Sequence, residues 1–102
     1  SKYVSAKPYL SRPSVKLTAG KKKVTVKWNR ISGATGYKIY RSTKKNSGYK
    51  CVKTVTKSST TSFVNKSLKK GTKYYYKVRA YRKSGSKYAY SSYSSVRYTK
   101  AK

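Results

Sequence analysis

Lys73-Tyr74-Tyr75-Tyr76-Lys77-Val78-Arg79-Ala80-Tyr81-Arg82 is the stretch that decides the fold. Read with a period of two, it sets Tyr74, Tyr76, Val78 and Ala80 on one face and Tyr75, Lys77, Arg79 and Tyr81 on the other. One apolar face opposite a basic one marks a strand lying with one side on a core. Downstream, Ser84-Gly85-Ser86 turns the chain, and a final strand is predicted over roughly residues 89–99. Upstream, Ser62-Phe63-Val64 is a short strand and residues 49–56 another. Lys44-Lys45-Asn46-Ser47-Gly48 is a hairpin connection, since Asn and Gly tolerate the positive φ of tight turns. Tyr37 and Ile39 point inward with Lys38 and Tyr40 facing away, and Ser32 to Gly36 form a turn. Val24, Val26 and Trp28 alternate with Thr25, Lys27 and Asn29, and Val15-Lys16-Leu17 is a first short strand. No segment carries a 3.6-residue apolar stripe. Seven short strands separated by turn signals predict an all-β, seven-stranded immunoglobulin-like β-sandwich. Residues 1–12 read as a linker or extended lead-in pinned by Tyr9 or Leu10, and residues 13–102 as a single domain.

Composition narrows the chemistry. The 102 residues include 28 Lys and Arg but no Asp, Glu or His, a formal net charge of +28. Serine–histidine–aspartate triads, paired-carboxylate glycosidases, carboxylate metal sites and histidine zinc sites all lack their parts. With a single Cys there is no intrachain disulfide. An enzyme is not expected, nor a cofactor or metal. Low aliphatic content points towards disorder, but 13 Tyr, one Trp and the regular alternation point to a folded chain.

Several of these segments, in order, resemble the fibronectin type III family. They are Pro13-x-Val15, Trp28 at the end of the second strand, Gly33-Ala34-Thr35-Gly36-Tyr37-Lys38-Ile39-Tyr40-Arg41, Leu68-Lys69-Lys70-Gly71-Thr72-Lys73-Tyr74, and Tyr76-x-Val78-x-Ala80. The likeness spans about residues 13–99 and is nearest to modules from surface or secreted proteins of Gram-positive bacteria. It implies a core of Trp28, Tyr37, Ile39, Leu68, Tyr74, Tyr76, Val78 and Ala80, with the Tyr74 hydroxyl bonded back to nearby backbone. It also implies adhesion, binding or spacing rather than catalysis, and a cell-surface or extracellular setting. Acids are common in the family near Asn29, Asn65 and Lys73, so the chain departs from it there. Charge selection in a natural lineage and deliberate supercharging both account for that departure.

Without acids, no cation has an intramolecular carboxylate partner, and every Lys and Arg is expected to be open to an external anion. The candidate partners are polyanions: DNA or RNA, wall teichoic acid, sulfated glycans, and an anionic membrane surface. Self-repulsion is on the order of 4 kcal/mol at physiological salt, against net domain stabilities of about 5–15 kcal/mol. The candidate contact face is Lys38, Tyr40, Tyr75, Lys77, Arg79 and Tyr81, where rings stack bases or sugars while cations hold phosphates. The plainer reading of these residues is β propensity and cross-strand pairing. Further candidates are the basic turns Lys21-Lys22-Lys23, Lys44-Lys45, Lys69-Lys70 and Arg82-Lys83 with Lys87, which also read as solvated hairpin tips.

Ser-x-x-Lys spacings at Ser42/Lys45, Ser47/Lys50, Ser67/Lys70 and Ser84/Lys87 are no more frequent than chance allows. Asn65-Lys66-Ser67 fits a glycosylation sequon. Cys51, on a strand, reads as structural filler, with a disulfide-linked dimer of an otherwise monomeric protein as the alternative. The remaining function classes are an engineered acid-free scaffold and an inert spacer.

Overall fold

The computed structural model describes residues 10–102. Residues 1–9 of the expected lead-in, Tyr9 included, lie outside the described residues. Eight strands follow in order: β1 (Val15–Gly20), β2 (Lys23–Trp28), β3 (Gly36–Ser42), β4 (Lys50–Val55), β5 (Ser62–Asn65), β6 (Lys73–Ser84), β7 (Lys87–Tyr90) and β8 (Arg97–Lys100). They form two antiparallel sheets. One has the order β1-β2-β5; the other runs β4-β3-β6-β7, with β8 also paired to β6. This is an all-β sandwich with no helix among the described residues.

The alternation along each strand decides which side chains enter the space between the sheets. β2 sends in Val24, Val26 and Trp28; β3 sends in Tyr37 and Ile39; β6 sends in Tyr74, Tyr76, Val78 and Ala80. Each of these is buried, and Leu68 and Ile31 close the ends. The core is unusually rich in Tyr, so its hydroxyls need partners. Tyr37 accepts from the Ile31 N–H at 3.0 Å and donates to the Ser58 carbonyl at 2.8 Å. Its ring packs 5.4 Å from that of Trp28. Tyr74 accepts from the Lys69 N–H at 2.8 Å. Leu10, ahead of β1, also packs on this core.

The expected final strand over residues 89–99 is instead two strands, β7 and β8, with residues 91–96 between them. The interruption has a local cause. Ser91 and Ser94 each hold β6 with both backbone and side chain. Ser91 N–H donates to the Ala80 carbonyl at 2.9 Å while its Oγ accepts from Ala80 N–H at 2.8 Å. Ser94 does the same to Val78, at 2.8 and 2.9 Å. The three residue steps from Ser91 to Ser94 therefore match two from Ala80 to Val78 on β6, and the regular ladder breaks.

At the far end of the sandwich the C-terminal residues clamp the β1–β2 turn. Lys22 N–H donates to the Lys102 carbonyl at 2.6 Å, and Lys102 N–H to the Gly20 carbonyl at 3.0 Å.

Candidate functional site

The outer face of the five-stranded sheet gathers most of the expected contact residues. Across β3 and β6, Lys38 lies opposite Arg79 and Tyr40 opposite Lys77. Placing like charges opposite each other destabilises a sheet, and here aromatic rings intervene. The Arg79 guanidinium carbon lies 3.9 Å from the Tyr90 ring centre, with Lys38 Nζ 5.9 Å from the same ring. Arg79 also contacts the Tyr93 and Tyr40 rings, and its Nη2 donates to the Tyr40 hydroxyl at 3.1 Å. Lys77 Nζ sits between two rings, 4.0 Å from Tyr93 and 4.4 Å from Tyr49. Burial and the neighbouring Tyr75 push the Tyr49 hydroxyl pKa up. Tyr75 packs against Tyr98, over which Lys73 extends at 4.8 Å.

Two expectations change on this face. Tyr81 is not an accessible contact residue but is buried. Gly36 lies opposite it in β3, and lacking a side chain there lets the Tyr81 ring lie across to β4, where its hydroxyl donates to the Val55 carbonyl at 3.3 Å. Nor are all the cations open to solvent partners, because Lys77, Arg79 and Lys38 are already covered by rings. The residues that the sequence reading missed are Tyr49, Tyr88, Tyr90, Tyr93 and Tyr98. Residues 89–99 carried the signal, as Tyr90, Tyr93 and Tyr98 fall there, but the spacing of a continuous strand could not assign them a common face.

The basic turns separate into two groups. Lys21, Lys22 and Lys23 meet the Lys69-Lys70 segment through a 2.9 Å bond from Leu68 N–H to the Lys22 carbonyl. Lys44 and Lys45 follow the end of β3 that pairs with the start of β6, so they lie at the same end of the sandwich. Lys100 and Lys102 join them there. Arg82, Lys83 and Lys87 lie at the opposite end, on the β6–β7 hairpin.

Cys51 is exposed, which overturns its reading as filler. It sits on β4 at a register shift against β3, where the alternation no longer turns it inward. Asn65 is buried, with its side-chain oxygen bonded to Arg41 and Tyr76, so the sequon is not accessible. Surface depressions are shallow; one of about 380 Å³ is lined by Arg82, Ser84, Lys87, Tyr88 and Ala89. Among the described residues there is no cluster of metal-ligating side chains.

A two-sheet antiparallel sandwich with a Trp between the sheets and a Tyr hydroxyl tied back to backbone defines an immunoglobulin-like module. The profile of the fibronectin type III domain matches residues 8–97, and the chain belongs to that family. No curated protein matches it. Among solved structures it is similar to a Fn3-like protein from Clostridium thermocellum, with 25% identity, a TM-score of 0.71, and 95% of this chain covering 96% of that one. A human fibronectin type III domain is 24% identical with a TM-score of 0.72, over 95% of this chain and 90% of that one. A β-1,2-glucanase from Parabacteroides distasonis is 22% identical with a TM-score of 0.77, over 90% of this chain. The chain spans only 12% of the glucanase, and that likeness shows the fold alone.

Proposed function

We propose that this domain is a non-catalytic module of a cell-surface or secreted protein that binds polyanions through distributed Lys and Arg contacts. Fibronectin type III domains are generally non-catalytic and commonly occur in extracellular proteins. The observation that carries the reading is the gathering of Lys21, Lys22, Lys23, Lys44, Lys45, Lys69, Lys70, Lys100 and Lys102 at one end of a chain without a single carboxylate side chain. Charges so placed raise the local concentration of any polyanion and hold it by releasing its counterions. Nucleic acid, teichoic acid and sulfated glycans share that chemistry.

Binding measured across a salt series tests it. For duplex DNA, log K should fall linearly with log salt, at a slope of about −0.9 per phosphate contacted. Reversing Lys22, Lys45 and Lys70 to Glu should reduce both affinity and slope. Binding that ignores salt, or ignores those reversals, contradicts the reading.

A spacer role is the second reading. Leu10 packs beside Gly33 at the β2–β3 loop, while Lys102 is held at the β1–β2 turn at the opposite end. Leu10 and Lys102 thus lie at opposite ends of the sandwich, the separation a spacer needs.

A further inference from the structure

We infer that the β6–β7 hairpin is a stacking platform for single-stranded nucleic acid. The inference rests on the polyanion reading and adds a ligand class and a place. Most tyrosines here are committed to the core or to covering cations; Tyr90 also lies over Arg79, yet it and Tyr88 stay 42% and 49% exposed. Their rings are 14° from parallel with centres 6.2 Å apart, as two successive outward residues of one strand. Arg79 backs the Tyr90 ring at 3.9 Å, and the exposed Lys83, its Nζ 5.8 Å from Tyr88, is the cation beside the rings that is open to a phosphate. A depression of about 380 Å³ touches Tyr88, but Arg82, Ser84 and Lys87, which line it, alternate onto the hairpin's other face and are not part of the ring platform.

Splayed bases stack on aromatic rings of a sheet face while adjacent cations hold the phosphates, with little dependence on sequence. A duplex keeps its bases stacked inside and meets only the cations. A sulfated glycan likewise carries charge but presents no planar base to two near-parallel rings. The complete lack of Asp and Glu leaves no acidic side chain to repel a phosphate along the way.

The test is a titration of the wild-type domain with oligothymidylate of about 12 nucleotides, with the matching duplex, and with dextran sulfate, each over about 0.05–0.2 M salt. The same titrations are made with Y88A/Y90A and with Y88L/Y90L, which keeps apolar bulk but no ring. Wild type should hold the single strand more tightly than the duplex at the upper end of the series. Both double variants should lose about tenfold or more in single-strand affinity, while dextran sulfate binding stays within about twofold and thermal unfolding confirms the fold. If Y88L/Y90L keeps the single-strand affinity, or all three ligands weaken in parallel, the platform is overturned and the polyanion reading survives. Wild type that binds none of the three at physiological salt overturns the polyanion reading itself.

Discussion

Arg41 and Asn65 join the two sheets: the guanidinium donates from Nη1 to the Asn65 side-chain oxygen at 2.9 Å. The Tyr76 hydroxyl donates to the same oxygen at 2.7 Å. Asn29 behaves similarly, its side-chain oxygen accepting from the Ser14 N–H at 2.7 Å. An amide oxygen accepts hydrogen bonds without negative charge, so the sandwich keeps these links while holding no carboxylate side chain. The tyrosines complete the arrangement by laying ring faces against Lys and Arg.

Placing an acid at position 65 should therefore stabilise the domain. In Asn65→Asp the two donors would face a carboxylate, and charge-assisted bonds are roughly twice as strong as neutral ones. We expect a gain of about 1–2 kcal/mol at pH 7 by urea denaturation. Arg41 should hold the new carboxyl below its unfolded value of about 3.9. The gain is then present above that value and lost as pH falls through the lower folded pKa. A variant no more stable than wild type at pH 7 would mean that desolvation outweighs the pairing.

Tyr76 supplies a test at the alkaline end. Burial, the largest effect, raises its hydroxyl pKa well above the ordinary 10, with Arg41 opposing and Tyr74 adding to the rise. An acid whose folded pKa is raised stabilises fully below the unfolded pKa and loses that contribution as pH climbs above it. Tyr76→Phe should cost about 1 kcal/mol at pH 7 through the lost bond to Asn65. The wild-type advantage should then shrink above pH 10, by up to about 1.4 kcal/mol per pH unit. A difference that stays constant from pH 8 to 11 refutes it.

Much of the sandwich was legible because the core-facing residues of its central strands recur with a period of two. β2, β3 and most of β6 place inward the residues their period of two demands. The contact face was legible only in part, because its assembly depends on long-range geometry. Tyr81 has the parity of an exposed residue, and only the missing side chain of Gly36, 45 positions earlier in the chain, permits its burial. Tyr93 reaches Lys77 and Arg79 from outside any strand. Its placement follows from Ser91 and Ser94 acting as substitutes for backbone acceptors, which a composition of abundant Ser does not reveal.

Those two serines make a direct prediction. Removing either hydroxyl leaves a buried β6 N–H without its acceptor, Ala80 in Ser91→Ala and Val78 in Ser94→Ala. Each should cost about 1–3 kcal/mol. Hydrogen exchange should accelerate at the orphaned amide more than at its β6 neighbours. Uniform exchange along β6 in both variants would show that these bonds do not hold the strand.

Gly36 and Gly71 should respond very differently to alanine. At Gly36 a Cβ would collide with the Val55 carbonyl oxygen and come within 2.9 Å of the Tyr81 hydroxyl. At Gly71 the φ of +78° is unfavourable for Ala, but the space is open. We expect Gly71→Ala to cost about 1 kcal/mol and Gly36→Ala more than about 3 kcal/mol or the fold itself. Equal costs by denaturation would remove the proposed reason for Tyr81 burial.

Salt should act on the whole domain. The 28 cations have no Asp or Glu partner, and ring faces reduce their mutual repulsion without cancelling the charge. At about 0.01 M salt the Debye length is about 30 Å, longer than the spacing between neighbouring charges; at 0.15 M it is about 8 Å. The folded chain holds its charges closer together than the unfolded one, so screening favours folding. For a domain of this size each 1 kcal/mol recovered raises the Tm by about 4–8 °C. We expect a rise of at least about 5 °C over that salt range, followed by a plateau once the charges are screened. A Tm that is flat or falling over the same range would show that the tyrosine–cation contacts already suppress the repulsion.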